Sequence, residues 1–201
     1  MITTQVQQGT KEWQECRLGI PTASGFDKLI TTKGEPSKQR QKYMYQLAAE
    51  RITGIKEDSY QNGAMQRGIE LEAEARAMYE LMTGNKVEQV GVCYSDEKKL
   101  FGCSPDGLIG KDGAVEIKCP TSAIHVGYLL EGTLPADYFQ QIQGQLLVTG
   151  RKWVDFFSFY PGLKPLLIKV KPDEKFLKAL RIELEVFCKE LDEITEKIRS
   201  V

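Results

Sequence analysis

Ser104-Pro105-Asp106-Gly107 is followed, ten residues after its aspartate, by Glu116-Ile117-Lys118. If residues 115–119 form a β-strand, the side chains of Glu116 and Lys118 leave the same face, because side chains alternate along a strand. Two carboxylates and one ammonium group then converge. Two carboxylates can hold a hard divalent cation such as Mg²⁺, and a lysine beside them can organise an attacking water or neutralise a phosphate. The spacing therefore predicts a site that cleaves a phosphodiester.

The residues between the two acids predict a hairpin. Leu108-Ile109 and residues 114–117 have strand composition, and Gly110-Lys111-Asp112-Gly113 has turn composition. The hairpin returns Asp106 to the side of Glu116. A second interpretation stays open, because Pro-Asp-Gly is also an ordinary turn sequence and Glu-x-Lys an ordinary exposed strand edge.

Composition predicts a globular protein with a single domain, residues 1–201. The hydrophobic fraction is 41% and the charged fraction 27%, both typical of such proteins. The chain has no apolar run near the ~18 residues of a membrane span, and its first residues do not form a signal peptide. We therefore expect a cytoplasmic protein with no membrane partner.

Charge, cysteine and histidine content narrow the function further. A net charge of −1 means that DNA binding needs a local basic patch, and residues 28–42 supply a candidate that can equally be a solvated face. The five cysteines are scattered and odd in number, which indicates reduced thiols. The single histidine, His125, excludes a multi-histidine metal site within one chain, and we expect it to be structural or exposed.

Periodicity predicts an α/β fold, a mixed sheet flanked by helices. On the helix 66–83, Glu72 lies at the edge of the apolar stripe, where it can face a site under the sheet or pair with Arg76. The long C-terminal helix, about residues 173–198, carries a heptad seam. We expect the seam to pack on the protein's own sheet, with a subunit contact as the alternative. The predicted helices are 10–16, a short one reaching about 30, 38–53, 66–83, 122–131, 137–149 and 173–198, and the predicted strands are 86–94, 100–104, 108–109, 114–119, 153–160 and 166–170.

Several motifs, in order, resemble the lambda-type phage exonucleases (the alkaline exonuclease or viral recombinase nuclease family) within the PD-(D/E)xK superfamily. The resemblance covers about residues 11–160. It is carried by Ser104-Pro105-Asp106-Gly107 with Glu116-Ile117-Lys118-Cys119-Pro120, Arg17-Leu18-Gly19 with Thr22-Ala23-Ser24, Gly68 with Glu72-Ala73-Glu74-Ala75-Arg76, Tyr94-Ser95-Asp96-Glu97, and Gln141-Ile142-Gln143.

The resemblance implies a restriction-endonuclease-like core with helical N- and C-terminal elements, and a Mg²⁺-dependent enzyme. It implies two Mg²⁺ ions per active site, with Mn²⁺ as a substitute. The implied metal ligands are Asp106, Glu116 and the backbone carbonyl of Ile117, and Glu72 holds a second metal or its waters. Lys118 matches the lysine that orients or activates the water, and Asp96 matches a further acid with a less direct role.

The resemblance also implies the substrate and the partners. The enzyme digests one strand of duplex DNA from a 5′-phosphorylated end, and the 3′ overhangs serve recombination by strand annealing. The implied partners are double-stranded DNA ends, two further copies in a ring-shaped homotrimer, and a single-strand annealing protein, in the bacterial host cell of a phage or prophage. The implied 5′-phosphate-binding residues are Arg17, Ser24, Ser104 and Gln141. Apart from the resemblance, the apolar Met65 is a candidate wedge between terminal bases.

The short N-terminal segment and the compact loop between Lys118 and Gln141 depart from what we expect of the family. Two alternative functions stay open beside the exonuclease. One is a PD-(D/E)xK endonuclease of the restriction or junction-resolving kind, which does not need a 5′-terminal phosphate. The other is a catalytically silent DNA-binding protein with the same fold, which the intact Asp106, Glu116 and Lys118 disfavour.

Overall fold

The computed structural model describes residues 1–56 and 63–201, apart from the side chains of residues 63–66 and 69. Two 3₁₀ helices, Ala23–Lys28 and Ala136–Tyr138, accompany the main elements. In chain order, the described elements are β1 (Ile2–Thr3), α1 (Lys11–Cys16), α2 (Arg40–Thr53), α3 (Gly63–Thr83), β2 (Cys93–Tyr94), β3 (Gly102–Cys103), β4 (Gly107–Ile109), β5 (Gly113–Lys118), α4 (Ser122–Glu131), α5 (Phe139–Thr149), β6 (Trp153–Ser158), β7 (Leu166–Val170) and α6 (Glu174–Arg199).

The described strands form two sheets. The smaller is antiparallel, in the order β1-β2-β3, and the larger is mixed, in the order β4-β5-β6-β7. Only β5 and β6 are parallel in the larger sheet, and their connection contains α4 and α5, as a parallel pair requires. The strand that carries Glu116 and Lys118 is thus an interior strand, and all six of its residues are buried or half-buried.

Helix α5 packs closely on the 3₁₀ helix Ala23–Lys28. A Cβ on Gly144 would lie 2.5 Å from the Phe26 ring and 3.1 Å from the Ala23 side chain, so only glycine permits this approach. The 3₁₀ helix is also tied to β3, since Thr22 bridges Gly102. These contacts hold the N-terminal motif against α5 and the smaller sheet.

Helix α6 packs mainly against α2 and also against α5. Phe187 stacks on Tyr43 with ring centroids 5.8 Å apart, and Arg51 pairs with Asp192 at 2.5 Å. The buried face of α6 is therefore covered within the chain. It consists of Phe176, Leu180, Leu184, Phe187, Cys188, Leu191 and Thr195.

The sequence predicts the elements well and their lengths less well. Helix α4 and strand β7 have the predicted bounds, and α6 begins and ends within one residue of its prediction. The strands predicted at 86–94 and 100–104 are much shorter, because most of those residues lie outside any ladder. We expected one sheet and α6 packed on it; instead there are two sheets, and α6 packs on helices.

Two buried groups have structural roles. His125 is fully buried on α4, where its Nδ1 lies 2.7 Å from the Ser158 hydroxyl and its Nε2 lies 3.0 Å from the Lys164 carbonyl. The five cysteines are free thiols, as expected, and Cys93, Cys103 and Cys188 are buried. No helix among the described residues is long and apolar enough to cross a membrane.

Candidate active site

The β4–β5 hairpin forms as the sequence predicts. Leu108 pairs with Ala114 and Ile109 with Gly113, so the segment before β4 runs alongside the end of β5. There Asp106 accepts a hydrogen bond at Oδ2 from the backbone N–H of Ile117, 2.6 Å away. This bond fixes the first acid beside the strand that carries the second. The other oxygen of Asp106 has no hydrogen-bond partner among the described residues.

Glu116 is only 2% exposed, and three side chains donate hydrogen bonds to its carboxylate. Lys118 and Gln141 both donate to Oε1, and Gln145 donates to Oε2, each at 2.5 Å. A carboxylate has about four acceptor positions, so Oε2 retains one. The clamp therefore holds Glu116 in one orientation and still leaves a lone pair for a cation.

The carboxylates of Asp106 and Glu116 repel each other, and burial shields them from water. Burial raises the pKa of Asp106 well above its ordinary value, and the charge of Glu116 raises it further. Burial by itself lowers the pKa of Lys118, but the adjacent carboxylates of Glu116 and Asp106 outweigh it and raise the pKa overall. Lys118 is therefore an ammonium group at neutral pH, and its Nζ also lies 5.1 Å from the centroid of the Tyr138 ring.

The other two predicted acids lie further from this centre. Glu72 is half-buried on α3 and pairs with Arg76 at 2.5 Å, the alternative that the sequence left open. It is still near enough for its charge to raise the pKa of Asp106. Asp96 lies in an exposed turn, where it accepts a hydrogen bond from the backbone N–H of Lys98 at 2.9 Å. The roles of both acids in catalysis stay predictions.

Three of the four predicted phosphate-binding residues form one connected group. Arg17 donates hydrogen bonds from Nη2 to Ser24 at 3.0 Å and to Thr22 at 3.1 Å. Its guanidinium lies 4.2 Å from the centroid of the Trp13 ring, and Trp13 Nε1 donates to the Ser104 hydroxyl at 3.1 Å. Ser104 is two residues before Asp106, and the charge of Glu116 acts on Arg17, where it partly offsets the lowering of the pKa by burial. The group is therefore near the two acids.

The fourth residue, Gln141, lies at the cleavage centre, where its amide donates to Glu116. Its binding of a phosphate stays a prediction. Helix α3 includes Met65, but its side chain lies outside the described part of the structure. The proposed insertion of Met65 between terminal bases therefore stays a prediction. The backbone carbonyl of Ile117 also stays a prediction as a metal ligand.

Two residues of the site were not predicted. Trp13 joins Arg17 to Ser104, and its only signal in the sequence is a position four residues before Arg17, which directly follows the short helix α1. Gln145 shares a helix face with Gln141, which the i, i+4 spacing shows, but nothing in the sequence shows that both reach Glu116. A side chain that acts through another residue leaves little trace in a sequence pattern.

The residues present fit a hard divalent cation. Carboxylate oxygens are the ligands that Mg²⁺ prefers, and a cation between Asp106 and Glu116 would relieve the repulsion that raises the pKa of Asp106. Across the described residues, no three acidic, cysteine or histidine side chains converge as a complete set of metal ligands. Mg²⁺ itself keeps several waters and is usually bound through one or two carboxylates.

Comparison with known proteins decides the family. The model of the YqaJ-like viral recombinase domain matches residues 12–152, which include the acids, Lys118 and the Arg17 group. The chain belongs to the YqaJ-like viral recombinase family. It is a lambda-type phage exonuclease acting on DNA, as the resemblance of its motifs implied.

Solved structures agree with membership in this YqaJ-like family. The alkaline exonuclease LHK-Exo from Laribacter hongkongensis is 36% identical, with a TM-score of 0.87 over 95% of this chain and 97% of that chain. Its complex with dAMP gives 37% identity and a TM-score of 0.86 over the same shares. A phage-related exonuclease from Haemophilus somnus 129PT shares the fold, with a TM-score of 0.70 at 14% identity over 89% of this chain and 96% of that chain.

The predicted fold class, a PD-(D/E)xK-type mixed α/β core, is thus confirmed, as is the prediction of a nuclease. The catalytically silent alternative loses its support, since the relative at 36% identity is an alkaline exonuclease and the two acids and the lysine are in place. No curated protein matches the chain by sequence.

Proposed function

We propose that this YqaJ-like nuclease is a Mg²⁺-dependent 5′-to-3′ exonuclease that digests one strand of duplex DNA from a 5′-phosphorylated end. The product is a 3′ single-stranded overhang, which serves homologous recombination by strand annealing. We include in the proposal the ring-shaped homotrimer, the annealing partner and action in the bacterial host cell, which rest on the family resemblance alone.

The proposed polarity rests on one observation: Arg17 contacts Trp13, and Trp13 donates to Ser104, which is two residues before Asp106. Arg17 is a guanidinium that can hold a phosphate through paired hydrogen bonds, and Ser104 lies two residues before the first acid. A terminal phosphate bound by Arg17, Ser24 and Ser104 would set the register of the strand. The following phosphodiester would then reach Asp106 and Glu116.

The residues of the centre divide the chemistry among them. Asp106 and Glu116 would hold Mg²⁺, and Glu72 a second ion or its waters, with Mn²⁺ as a substitute. Such ions stabilise the charge that develops on the attacking and leaving oxygens. Lys118, kept charged by Glu116, orients the attacking water and offsets the charge of the reacting phosphate. Gln141 and Gln145 keep Glu116 in place.

A relative supports release of single nucleotides. LHK-Exo crystallised in complex with dAMP, and a mononucleotide is what an exonuclease releases at each step. For the present chain, we propose that the same class of molecule is the product. An endonuclease would leave longer fragments.

The test compares three DNA substrates in Mg²⁺: a linear duplex with 5′-phosphates, the same duplex with 5′-hydroxyls, and a closed circle. We expect mononucleotides and a persistent 3′-labelled strand from the phosphorylated duplex, slower digestion of the hydroxyl ends, and an intact circle. Cutting of the circle would instead support the endonuclease. Loss of the 3′ label ahead of the 5′ label would reverse the proposed polarity.

A further inference from the structure

A cavity of about 200 Å³ lies against Arg17, between the segment that carries Thr22 and Ser24 and helix α2. Arg17, Thr22 and Ser24 line one wall of it, and two lysines outside the predicted set, Lys28 and Lys56, line the rest together with polar and apolar side chains of α2. The position of the cavity makes it continuous with the phosphate-binding group. The charges that line the cavity indicate which kind of phosphate the group can select.

Three cations line the cavity: Arg17, Lys28 and Lys56. Burial lowers the pKa of Arg17, and its Nε is buried with no hydrogen-bond partner. Lys28 is half-buried, with its Nζ 5.4 Å from the centroid of the Tyr43 ring. Lys56 is exposed at the rim of the cavity. Partial burial lowers its pKa and the charges of Arg17 and Lys28 lower it further, while the charge of Glu50 opposes them. Three cations that disfavour one another and an unpartnered buried donor are stabilised when an anion enters.

The cavity lining has one opposing charge, Glu50. Its carboxylate is held by two donors, because Oε2 accepts from the Gly19 backbone N–H at 3.0 Å and Oε1 accepts from Gln46 at 3.1 Å. Its charge also acts on Lys56, where it partly offsets the lowering of the pKa. Three cations and one carboxylate leave a formal charge of +2 in the lining. A phosphomonoester carries about two negative charges at neutral pH, since its second pKa is about 6, whereas a phosphodiester within a strand carries one.

We propose that Lys28 and Lys56 complete, with Arg17, a site that selects the dianionic phosphomonoester at a DNA 5′ end over the monoanionic diesters within the strand. This inference rests on the proposed function and deepens it. It explains the preference for a 5′-phosphorylated end by charge, in addition to the contacts of the Ser24 hydroxyl and the Arg17 guanidinium with the phosphate. It also separates Lys28 from the remainder of the basic segment 28–42.

The first test compares kcat/KM on 5′-phosphorylated and 5′-hydroxyl duplexes for the parent protein, Lys28→Met, Lys56→Met and the double variant. Methionine keeps the length of the side chain and removes its charge. We expect the advantage of phosphorylated over hydroxyl ends to fall about 10- to 100-fold in the double variant, as for lost hydrogen bonds to a charged group. Lys33→Met, from the same basic segment but outside the cavity lining, is the matched control and should keep the parent's ratio.

A second measurement does not depend on cleavage. Inorganic phosphate and dAMP are titrated into each full-length variant by calorimetry without Mg²⁺. We expect the parent to bind both, the double Met variant to lose both, and the charge-preserving Lys28→Arg with Lys56→Arg to recover them. Binding of inorganic phosphate but not of dAMP would show a site for free phosphate only and would overturn the inference.

The two experiments separate the inference from the proposed function. A parent that shows no preference for 5′-phosphorylated ends contradicts the proposed function, whatever the lysines do. A parent that shows the preference, with a double Met variant that keeps both the preference and the phosphate binding, contradicts the role of Lys28 and Lys56 alone.

Discussion

Gln145 donates a hydrogen bond from Nε2 to Oε2 of Glu116 at 2.5 Å, while its own carbonyl oxygen is buried without a partner. The opposite amide orientation would point an oxygen at a carboxylate, so only the observed one is favourable. An unpartnered buried carbonyl costs about 1–3 kcal/mol. An unsatisfied buried polar group in a folded protein requires an explanation. Here the explanation is that Gln145 orients the Glu116 carboxylate.

We therefore expect Gln145→Leu to lower kcat about 10- to 100-fold, as for loss of a residue that orients a metal ligand. The Mg²⁺ concentration needed for half-maximal activity should rise, because Glu116 loses the donor that fixes Oε2. The ratio of activity on phosphorylated and hydroxyl ends should not change. A Mg²⁺ titration of initial rates on both substrates measures all three quantities.

Gln143→Leu is the matched control for that variant. Gln143 is equally buried on the same helix, but it faces the start of α6, where it donates to the Lys171 carbonyl at 3.0 Å and accepts from the Asp173 N–H at 2.9 Å. The Gln143→Leu variant should have a lower melting temperature and an unchanged Mg²⁺ requirement. Equal shifts in the Mg²⁺ requirement for both variants would contradict a specific role for Gln145.

Lys118→Met should reduce kcat by about 10²- to 10³-fold, the usual range for loss of one group that stabilises charge in the transition state. The ammonium of Lys118 is the only charged donor to Glu116 within the described residues. Single-turnover rates on a phosphorylated duplex measure the chemical step directly. Full Mg²⁺-dependent activity in the variant would refute the assignment.

Lys169→Met separates catalysis from the general effect of losing a lysine beside a buried acid. Lys169 pairs with the buried Asp155 at 2.8 Å on the neighbouring strands of the same sheet. Its loss leaves that carboxylate without its cation, so stability should fall while kcat is kept. A comparable loss of kcat in both variants would indicate damage to the sheet.

The hairpin and its acids could be predicted from sequence because every signal is local. The turn at residues 110–113 is chemically distinctive, and the alternation from Glu116 to Lys118 fixes a shared face. The long helices were predicted for the same reason, since 3.6-residue periodicity extends over many turns. Sequence reasoning succeeded where neighbours in the chain determine the structure.

Contacts between distant segments could not be predicted in this way. The predicted strand 86–94 is mostly irregular, because pairing depends on where β1 and β3 lie and not on its own composition. Ile52 is an apolar residue in the last turn of α2, yet it is 38% exposed. Trp13 and Gln145 act on residues far along the chain, and no local pattern marks those partners.

Trp13 should matter through two separable contacts. Trp13→Phe keeps a ring under Arg17 and loses the hydrogen bond to Ser104, whereas Trp13→Ala loses both. We expect KM for a phosphorylated duplex to rise in both variants, and to rise more in the alanine variant, with kcat reduced much less. Equal KM values for the parent and Trp13→Ala would exclude Trp13 from positioning the end-binding group.

Gly144→Ala tests the contact between α5 and the 3₁₀ helix that carries Ser24. The added Cβ would meet the Phe26 ring, which is fully buried and cannot move freely. Overpacking of this kind typically costs about 1–3 kcal/mol. Urea unfolding should show the loss, and Gly127→Ala, whose Cβ meets nothing within 4 Å on α4, should show none.

Asp106→Asn should make the metal-free protein more stable while abolishing cleavage. Burial and the charge of Glu116 raise the folded-state pKa of Asp106, so above the ordinary carboxyl pKa of about 4 the ionised side chain favours unfolding. Asparagine removes that charge and can still accept from Ile117. In EDTA at pH 8 we expect the melting temperature to rise by about 2–4 °C, the shift that ~1 kcal/mol gives a chain of this size.

The rise in the melting temperature of Asp106→Asn should disappear near pH 4, where Asp106 in the parent is already neutral. Added Mg²⁺ at pH 8 should reverse the order, because the cation stabilises the parent by binding both carboxylates and has only Glu116 in the variant. Thermal melts at the two pH values, with EDTA or Mg²⁺, test each step. A variant less stable than the parent in EDTA at pH 8 would show that the ionised Asp106 does not destabilise the fold. An equal Mg²⁺ shift in both proteins would place the ion elsewhere.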